Sequence, residues 1–136
     1  MRLTLNRRTD LALLALRELA NSDGPVSGSV LGERIGTSLL FLPQVMAPLI
    51  QAGWVRSDRG PGGGYRLTES AARARLMDVI EATEGPAETG RCVMRDAPCP
   101  GDPSCPIHGV WMQARQVLVE NFERIPAFIV EEGKTK

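Results

Sequence analysis

The chain has 136 residues, of which 43% are hydrophobic and 24% are charged, and its formal net charge is zero. This length predicts one domain with a core of its own, and the composition excludes a largely disordered chain. No apolar run approaches the roughly 20 residues of a membrane span, and the first residues lack the apolar stretch of a secretory signal, so we expect a cytoplasmic protein that does not contact a membrane.

Charge is distributed unevenly along the chain. Residues 1–75 carry ten basic and six acidic residues, a net charge of +4, whereas residues 76–136 carry six basic and ten acidic residues, a net charge of −4. A basic half is typical of a surface that binds a polyanion, although chance also produces an asymmetry of this size.

Three helices are predicted in the first part of the chain. Apolar residues at helical spacing predict helix one over about 11–19, and the turn residues 21–25 end it. A short second helix is predicted over about 27–35. A third helix is predicted to run from an N-cap at Ser38 to about Ala52, and Pro43 is compatible with it because proline is tolerated in the first turns.

A β-hairpin is predicted after the third helix. Residues 54–57 alternate apolar and polar side chains, which is typical of a strand, and residues 65–67 predict a second strand. The Gly- and Pro-rich residues 59–64 predict a tight turn between them. Three helices followed by a hairpin, with a short break between the second and third helices, is the order of elements in a winged helix-turn-helix.

The second half is predicted to contain two helices on either side of an irregular loop. The fourth helix is predicted over about 71–82, and a long helix begins at Ile107. The loop over residues 87–106 carries every cysteine of the chain. A loop of this length inside a compact domain is usually functional. A short apolar segment over residues 125–130 precedes a charged end.

The predicted fold class is therefore mainly α with a small β-hairpin wing. We expect a winged helix-turn-helix over residues 1–70 and a helix, cysteine loop and dimerisation helix over residues 71–136, within one compact domain. The long helix has an apolar stripe that is unusual for a lone exposed helix, so a homodimer is expected, although part of the stripe also packs on its own domain. The stripe consists of Val110, Trp111, Ala114, Val117 and Leu118.

Candidate DNA contacts lie at the start of the third helix and at the tip of the hairpin. In this architecture the second helix of the helix-turn-helix enters the major groove of double-stranded DNA. The Gln44 amide can form two bonds to adenine, and Arg59 can enter the minor groove or contact a phosphate. The complete set of candidates is Thr37, Ser38, Leu40, Phe41, Gln44, Arg59 and Gly60. The same topology also serves protein–protein contacts, and Leu40 or Phe41 fits a core position as well.

The three cysteines form the pattern C-x6-C-x5-C-x2-H, which consists of Cys92, Cys99, Cys105 and His108. Clustered cysteines in odd number favour metal binding over a disulfide framework. Thiolates are soft ligands for iron–sulfur clusters, Zn²⁺ or Cu⁺. Three cysteines and a histidine are a valid zinc set, but zinc sites usually contain a closely spaced cysteine pair, so the wide spacing favours a cluster. Redox chemistry of the free thiols is a third hypothesis for the function of these cysteines.

No arrangement of residues is typical of an enzyme active site. The single histidine has no serine or cysteine in an obvious triad, and the carboxylates are scattered. Three functions remain as hypotheses: a ligand-switched DNA-binding regulator, a zinc-stabilised or cluster-free winged-helix module for constitutive DNA binding or interaction, and a small redox protein.

Five segments of the sequence resemble the Rrf2 family, which includes the iron–sulfur regulators IscR, NsrR and RirA. The segments are MRLT at the start, TDLAL in helix one, LIQAGWVRSDRGPGGGYRL, DVIEATEG and CPIHGVW. The resemblance extends from Met1 to about Val130 and implies a dimeric winged-helix transcription factor, more often a repressor than an activator, that carries an iron–sulfur cluster. Leu40 and Pro43 stand where IscR-like members often carry polar residues, so the resemblance does not imply an operator sequence.

The resemblance implies two candidates for the fourth ligand. CPIHGVW resembles the stretch in which IscR-like members use a histidine as ligand to a 2Fe–2S cluster, which implies His108. TDLAL matches the position where some NsrR-like members supply a carboxylate from the partner subunit to a 4Fe–4S cluster, which implies Asp10. The longer match favours His108 and a 2Fe–2S cluster over the 4Fe–4S alternative. As ordinary structural residues, His108 would cap a helix and Asp10 would complement a helix dipole.

Overall fold

The computed structural model describes residues 4–87, 89–94, 97–100 and 105–130. The predicted order of three helices, a hairpin, a fourth helix and a long last helix is confirmed. In chain order the elements are α1 (Arg7–Ala20), α2 (Gly28–Ile35), α3 (Leu42–Gln51), β1 (Val55–Asp58), β2 (Gly64–Leu67), a 3-10 helix (Glu69–Arg73), α4 (Leu76–Glu84) and α5 (His108–Phe122).

Helix α1 occupies the centre of the core, where it packs against α2, α3 and α4. Its N-terminus is capped by the Asn6 side chain, which accepts a hydrogen bond of 2.9 Å from the Thr9 N–H. The apolar residues that α1 buries recur at helical spacing, and they are Leu11, Ala12, Ala15, Leu16 and Leu19. The other helices and β1 complete the core with Leu31, Leu42, Val45, Met46, Leu49 and Val55.

Helix α3 begins at Leu42 and not at the predicted Ser38. Ser38 still caps the preceding turn, since its Oγ accepts a hydrogen bond of 3.1 Å from the Phe41 N–H. Pro43 at the start of the helix has no N–H to donate to the Leu39 carbonyl, so the regular helical pattern is interrupted there. The prediction placed the boundary too early because it used the cap residue and gave too little weight to the proline.

The predicted fourth helix over residues 71–82 is divided into the 3-10 helix and α4. Between them Ala74 and Arg75 are extended. These two residues pair with the segment that follows α5: Arg75 lies opposite Pro126, and the Ala127 N–H donates a hydrogen bond of 3.0 Å to the Ala74 carbonyl. The prediction of one continuous helix is wrong because a strand-like contact from a distant part of the chain overrides the local helical preference.

The wing is an antiparallel hairpin of β1 and β2, as predicted, with Val55 opposite Leu67. A further pair of hydrogen bonds attaches it to the connection between α1 and α2. The Tyr65 N–H donates to the Val26 carbonyl at 2.8 Å, and the Tyr65 carbonyl accepts from the Val26 N–H at 2.9 Å. These contacts fix the direction in which the wing leaves the helical core.

Gly63 in the turn of the wing leaves no room for a side chain. A Cβ at this position would collide with the main chain of Asp58 and Arg59, which cannot move aside as a flexible side chain can. We therefore expect Gly63→Ala to lower the free energy of unfolding by about 1–3 kcal/mol in urea denaturation. Gly24→Ala is the control, because a Cβ there meets no atom within 4 Å. Equal stability of the two variants would contradict this account of the turn.

Candidate metal centre and nucleic-acid interface

The three cysteine side chains converge at one point, although the described residues of the loop that carries them form no regular helix or strand. Their Sγ atoms all lie within 4.8 Å of one another, and the Sγ atoms of Cys92 and Cys105 are 3.9 Å apart. Cys105 is buried, and Cys92 and Cys99 are half-buried. Two thiolates on one tetrahedral metal ion with metal–sulfur bonds of ~2.3 Å lie about 3.8 Å apart. The thiols are therefore placed to bind a thiophilic metal centre.

Main-chain hydrogen bonds fold the loop so that its cysteines meet. The Cys92 N–H donates to the Ala97 carbonyl at 2.9 Å, and the Cys99 N–H donates to the Gly90 carbonyl at 2.8 Å. This local pairing holds the first two cysteines, whereas Cys105 is placed by the start of α5. Two parts of the chain therefore supply the three thiols.

His108 joins the cysteines at the first residue of α5. Its Nδ1 atom lies 3.2 Å from the Sγ atom of Cys99, and the ring is half-buried. A cavity of about 130 Å³ lies beside this group, and Cys99, Cys105, His108 and Trp111 contribute to its walls. The imidazole is directed at the thiols rather than at the end of its helix, so the interpretation of His108 as a helix cap is not supported.

Asp10 lies on α1 and does not belong to the group of three cysteines whose Sγ atoms converge within this chain. Its carboxylate is exposed and forms an ion pair with Nη1 of Arg7 at 3.1 Å. It stands in the first turn of α1, where a helix dipole favours negative charge. Its use as a ligand by a second copy of the chain stays a prediction.

The predicted DNA contacts fall on two surfaces, the turn before α3 and the tip of the wing. Arg59 and Gly60 are exposed in the turn of the wing. Leu40 is 90% exposed and Gln44 is exposed, whereas Phe41 is half-buried and packs against the core. The sequence allowed a core position for either apolar candidate. In the structure Phe41 packs against the core, whereas Leu40 is exposed to solvent. The remaining candidates near the turn are the half-buried Thr37 and the exposed Ser38.

The position of α3 depends on two residues that the sequence analysis overlooked. Pro48 lies inside α3 and has no N–H to donate to the carbonyl of Gln44, four residues earlier. That carbonyl instead accepts a hydrogen bond of 3.1 Å from Nε of Arg8 in α1. The proline was a visible signal for a free carbonyl, but the sequence did not indicate which residue would supply the donor.

A buried polar contact, also missed, joins the end of α4 to the start of α1. The Thr9 side chain is fully buried, and its Oγ1 lies 2.6 Å from Oγ1 of Thr83. The Thr9 hydroxyl also hydrogen-bonds the Glu84 carboxylate, which in turn accepts a bond of 3.2 Å from the Asn6 N–H. The cysteine loop follows α4, whose last residue is thus held at the same end of α1 that carries Arg8.

A winged helix-turn-helix joined to a cysteine loop and a long final helix defines a class of transcriptional regulators. The chain belongs to the Rrf2 family of iron-dependent transcriptional regulators, which residues 5–126 match. It is 34% identical to the HTH-type transcriptional regulator IscR of Xenorhabdus nematophila over 95% of this chain and 74% of that protein. With IscR of Photobacterium profundum the identity is 39% over 82% of this chain and 64% of that protein.

Solved structures show the same fold. CymR, the global cysteine regulator of B. subtilis, superposes with a TM-score of 0.74 and 25% identity over 93% of this chain and 94% of its own. IscR of T. potens superposes with a TM-score of 0.68 and 28% identity over 92% of this chain and 83% of its own. These relatives are transcriptional regulators and not enzymes, as the sequence predicted. Within the described residues no helix is long and apolar enough to cross a membrane.

Proposed function

We propose that this chain is an iron–sulfur-cluster-dependent DNA-binding regulator, acting as a repressor whose operator binding changes with the state of the cluster. The observation that carries the proposal is the convergence of three thiols and one imidazole beside a winged helix-turn-helix. The signal belongs to the class that alters such clusters, which comprises nitric oxide, redox state and the supply of iron or of clusters.

The ligand set supports a cluster over a structural zinc ion. The cysteine pattern lacks the closely spaced pair that zinc sites usually contain, and the family is described as iron-dependent. We assign Cys92, Cys99, Cys105 and His108 as the ligands of a 2Fe–2S cluster. When bound, the cluster supplies one-electron redox chemistry, and the neutral imidazole leaves one iron with a ligand unlike the thiolates.

Contacts within the chain connect the end of α4, which precedes the cysteine loop, to α3 through α1. Glu84 at the end of α4 is hydrogen-bonded to Asn6 and Thr9 at the start of α1. The neighbouring Arg8 is bonded to the main chain of α3 at Gln44. We infer that a rearrangement of the loop shifts this end of α1 and with it α3, which changes the fit of α3 to the major groove.

The surface of α5 supports a homodimer as part of this proposal. None of the residues of α5 is buried, and its apolar side chains include Val110, which is 72% exposed, and Val117, which is 59% exposed. Pairing of two such helices removes this apolar surface from water. A twofold dimer also matches a palindromic operator with half-sites about 34 Å apart.

Loss of any one thiol is expected to remove the cluster. Cys92→Ala, Cys99→Ala and Cys105→Ala should each lose most of the bound iron and sulfide after anaerobic purification, while their far-UV circular dichroism stays unchanged. Met94→Ala, an exposed residue of the same loop that does not line the cavity beside the thiols, is the matched control and should keep the cluster. Colourless wild-type protein that contains zinc would contradict the proposal and favour a zinc-stabilised module.

His108→Ala and Asp10→Ala separate the two candidates for the fourth ligand. We expect His108→Ala to change the visible absorption of the anaerobic cluster-loaded protein, because its Nδ1 lies beside the Cys99 sulfur. Asp10→Ala should leave the spectrum unchanged. A spectrum perturbed only by Asp10→Ala would replace this assignment with a 4Fe–4S cluster that receives a carboxylate from the partner subunit.

Arg59 is expected to contribute one charged contact to DNA. Arg59→Ala should weaken binding to an operator selected from random duplexes and reduce the slope of log affinity against log salt by about 1. Arg124→Ala, an exposed residue after α5, is the control and should leave the slope unchanged. An identical slope for wild type and Arg59→Ala would remove the wing tip from the interface.

Sedimentation at micromolar concentration should give the mass of two chains of 14.8 kDa each. Val117→Asp should shift the protein towards a monomer, because a charge would be buried in the paired α5 surface. Gln116→Glu, exposed on α5 but turned away from the face that carries Val110 and Val117, is the control for a new carboxylate on this helix. A monomeric wild-type protein would contradict the assignment of α5 as the dimer interface.

A further inference from the structure

The surface that α3 presents to solvent carries no charge. The sequence has no acidic, basic or histidine residue between Arg34 and Arg56. In the major groove, Arg or Lys recognises guanine, and Asp or Glu accepts from cytosine. Neither chemistry is available on this helix. Its exposed residues are Pro43, Gln44, Ala47, Ile50 and Gln51.

Leu40 stands immediately before α3 and has no packing role in the core. It is 90% exposed, more than any other large apolar side chain in the described part of the molecule. The residues around it are used differently: Phe41 and Leu42 pack in the core, and the Leu39 side chain lies over Gly28 of α2. A leucine held this far into solvent at the start of the recognition helix is available for an apolar contact with a ligand.

Leu40 and Gln44 share one side of this turn and helix. Hydrogen bonds of 3.0 Å from Leu42 N–H to the Ser38 carbonyl and from Gln44 N–H to the Phe41 carbonyl give the segment helical curvature. Residues four apart in such a segment project to the same face. Arg8 holds the Gln44 main chain, so the backbone position from which the exposed Gln44 side chain extends is held relative to α1.

We propose that α3 recognises A·T base pairs, with Leu40 contacting the methyl group of thymine and Gln44 forming two hydrogen bonds to an adenine. Thymine is the only base that presents a methyl group in the major groove, and an amide matches the N6 donor and N7 acceptor of adenine. The inference rests on the proposed function, since it requires that the chain binds duplex DNA. The inference goes beyond that function because it specifies that α3 selects A·T base pairs.

In this proposal Leu40 contributes to sequence specificity, whereas Arg59 contributes to electrostatic affinity. The uncharged α3 face releases no counterions from DNA, so removal of the Leu40 side chain should alter sequence preference without altering the salt slope. Arg59 on the wing should show the opposite behaviour. The two variants thus distinguish a base contact from a phosphate contact.

The test uses deoxyuridine, which pairs like thymidine but lacks the methyl group. Duplexes are first selected from a random library with the full chain, both cluster-loaded and cluster-free. The selected duplex is then synthesised with thymidine replaced by deoxyuridine at one position at a time. We expect wild-type affinity to fall about fourfold for each contacted methyl group at one or two positions per half-site. Leu40→Ala should bind the thymidine and deoxyuridine duplexes equally at those positions.

Replacement of guanine by 7-deazaguanine provides the complementary measurement. It should leave affinity unchanged at guanines that neighbour the positions that respond to deoxyuridine, because α3 has no Arg or Lys side chain to bond guanine N7. Because Leu40 is exposed, Leu40→Ala should keep the wild-type melting temperature, which verifies that the variant is folded.

Equal affinity of the wild type for thymidine and deoxyuridine at every position would overturn the inference and leave the proposed regulator intact. A Leu40→Ala variant that loses affinity while keeping the full deoxyuridine effect would also overturn it. If neither form of the protein enriches any duplex from the library, the proposed function fails, and the inference fails with it.

Discussion

Ala12 and Ala15 are completely buried on the face of α1 that meets the other helices. Their small side chains allow α2, α3 and α4 to pack closely around one central helix, and the leucines beside them fill the remaining space. Helix α3 and the helix that precedes the cysteine loop, α4, are therefore positioned by contacts with the same element. A displacement of α1 changes both together, because a close-packed interior transmits strain.

The N-terminal end of α1 adds polar contacts to this apolar packing. Thr9 bonds Thr83 and Glu84 in α4, whereas the adjacent Arg8 donates to the carbonyl that Pro48 leaves free in α3. Hydrogen bonds are directional, so they fix helix rotation in a way that apolar burial does not. These contacts connect α4 to α3 through the start of α1.

The described residues of the cysteine loop and α5 contribute little to the hydrophobic core. Among them Cys105 is the buried apolar residue of the loop, and none of the residues of α5 is buried. The converging thiols and the apolar helix therefore lie at the edge of the winged-helix core. This separation agrees with the proposed function, in which a cluster binds to the loop and a second copy of the chain binds to α5.

Local patterns in the sequence determined the order of the helices and the hairpin, and they supplied the candidate ligand residues. Apolar periodicity, a glycine-rich turn and the types and spacing of cysteine and histidine are properties of short segments, so no tertiary contact was needed to find them. The tertiary structure alone decided the break at Ala74 and Arg75, the donor to the Gln44 carbonyl, and the placement of His108 beside Cys99. Each of these depends on a contact that only the folded chain brings together, and such contacts leave no periodic signal in the sequence.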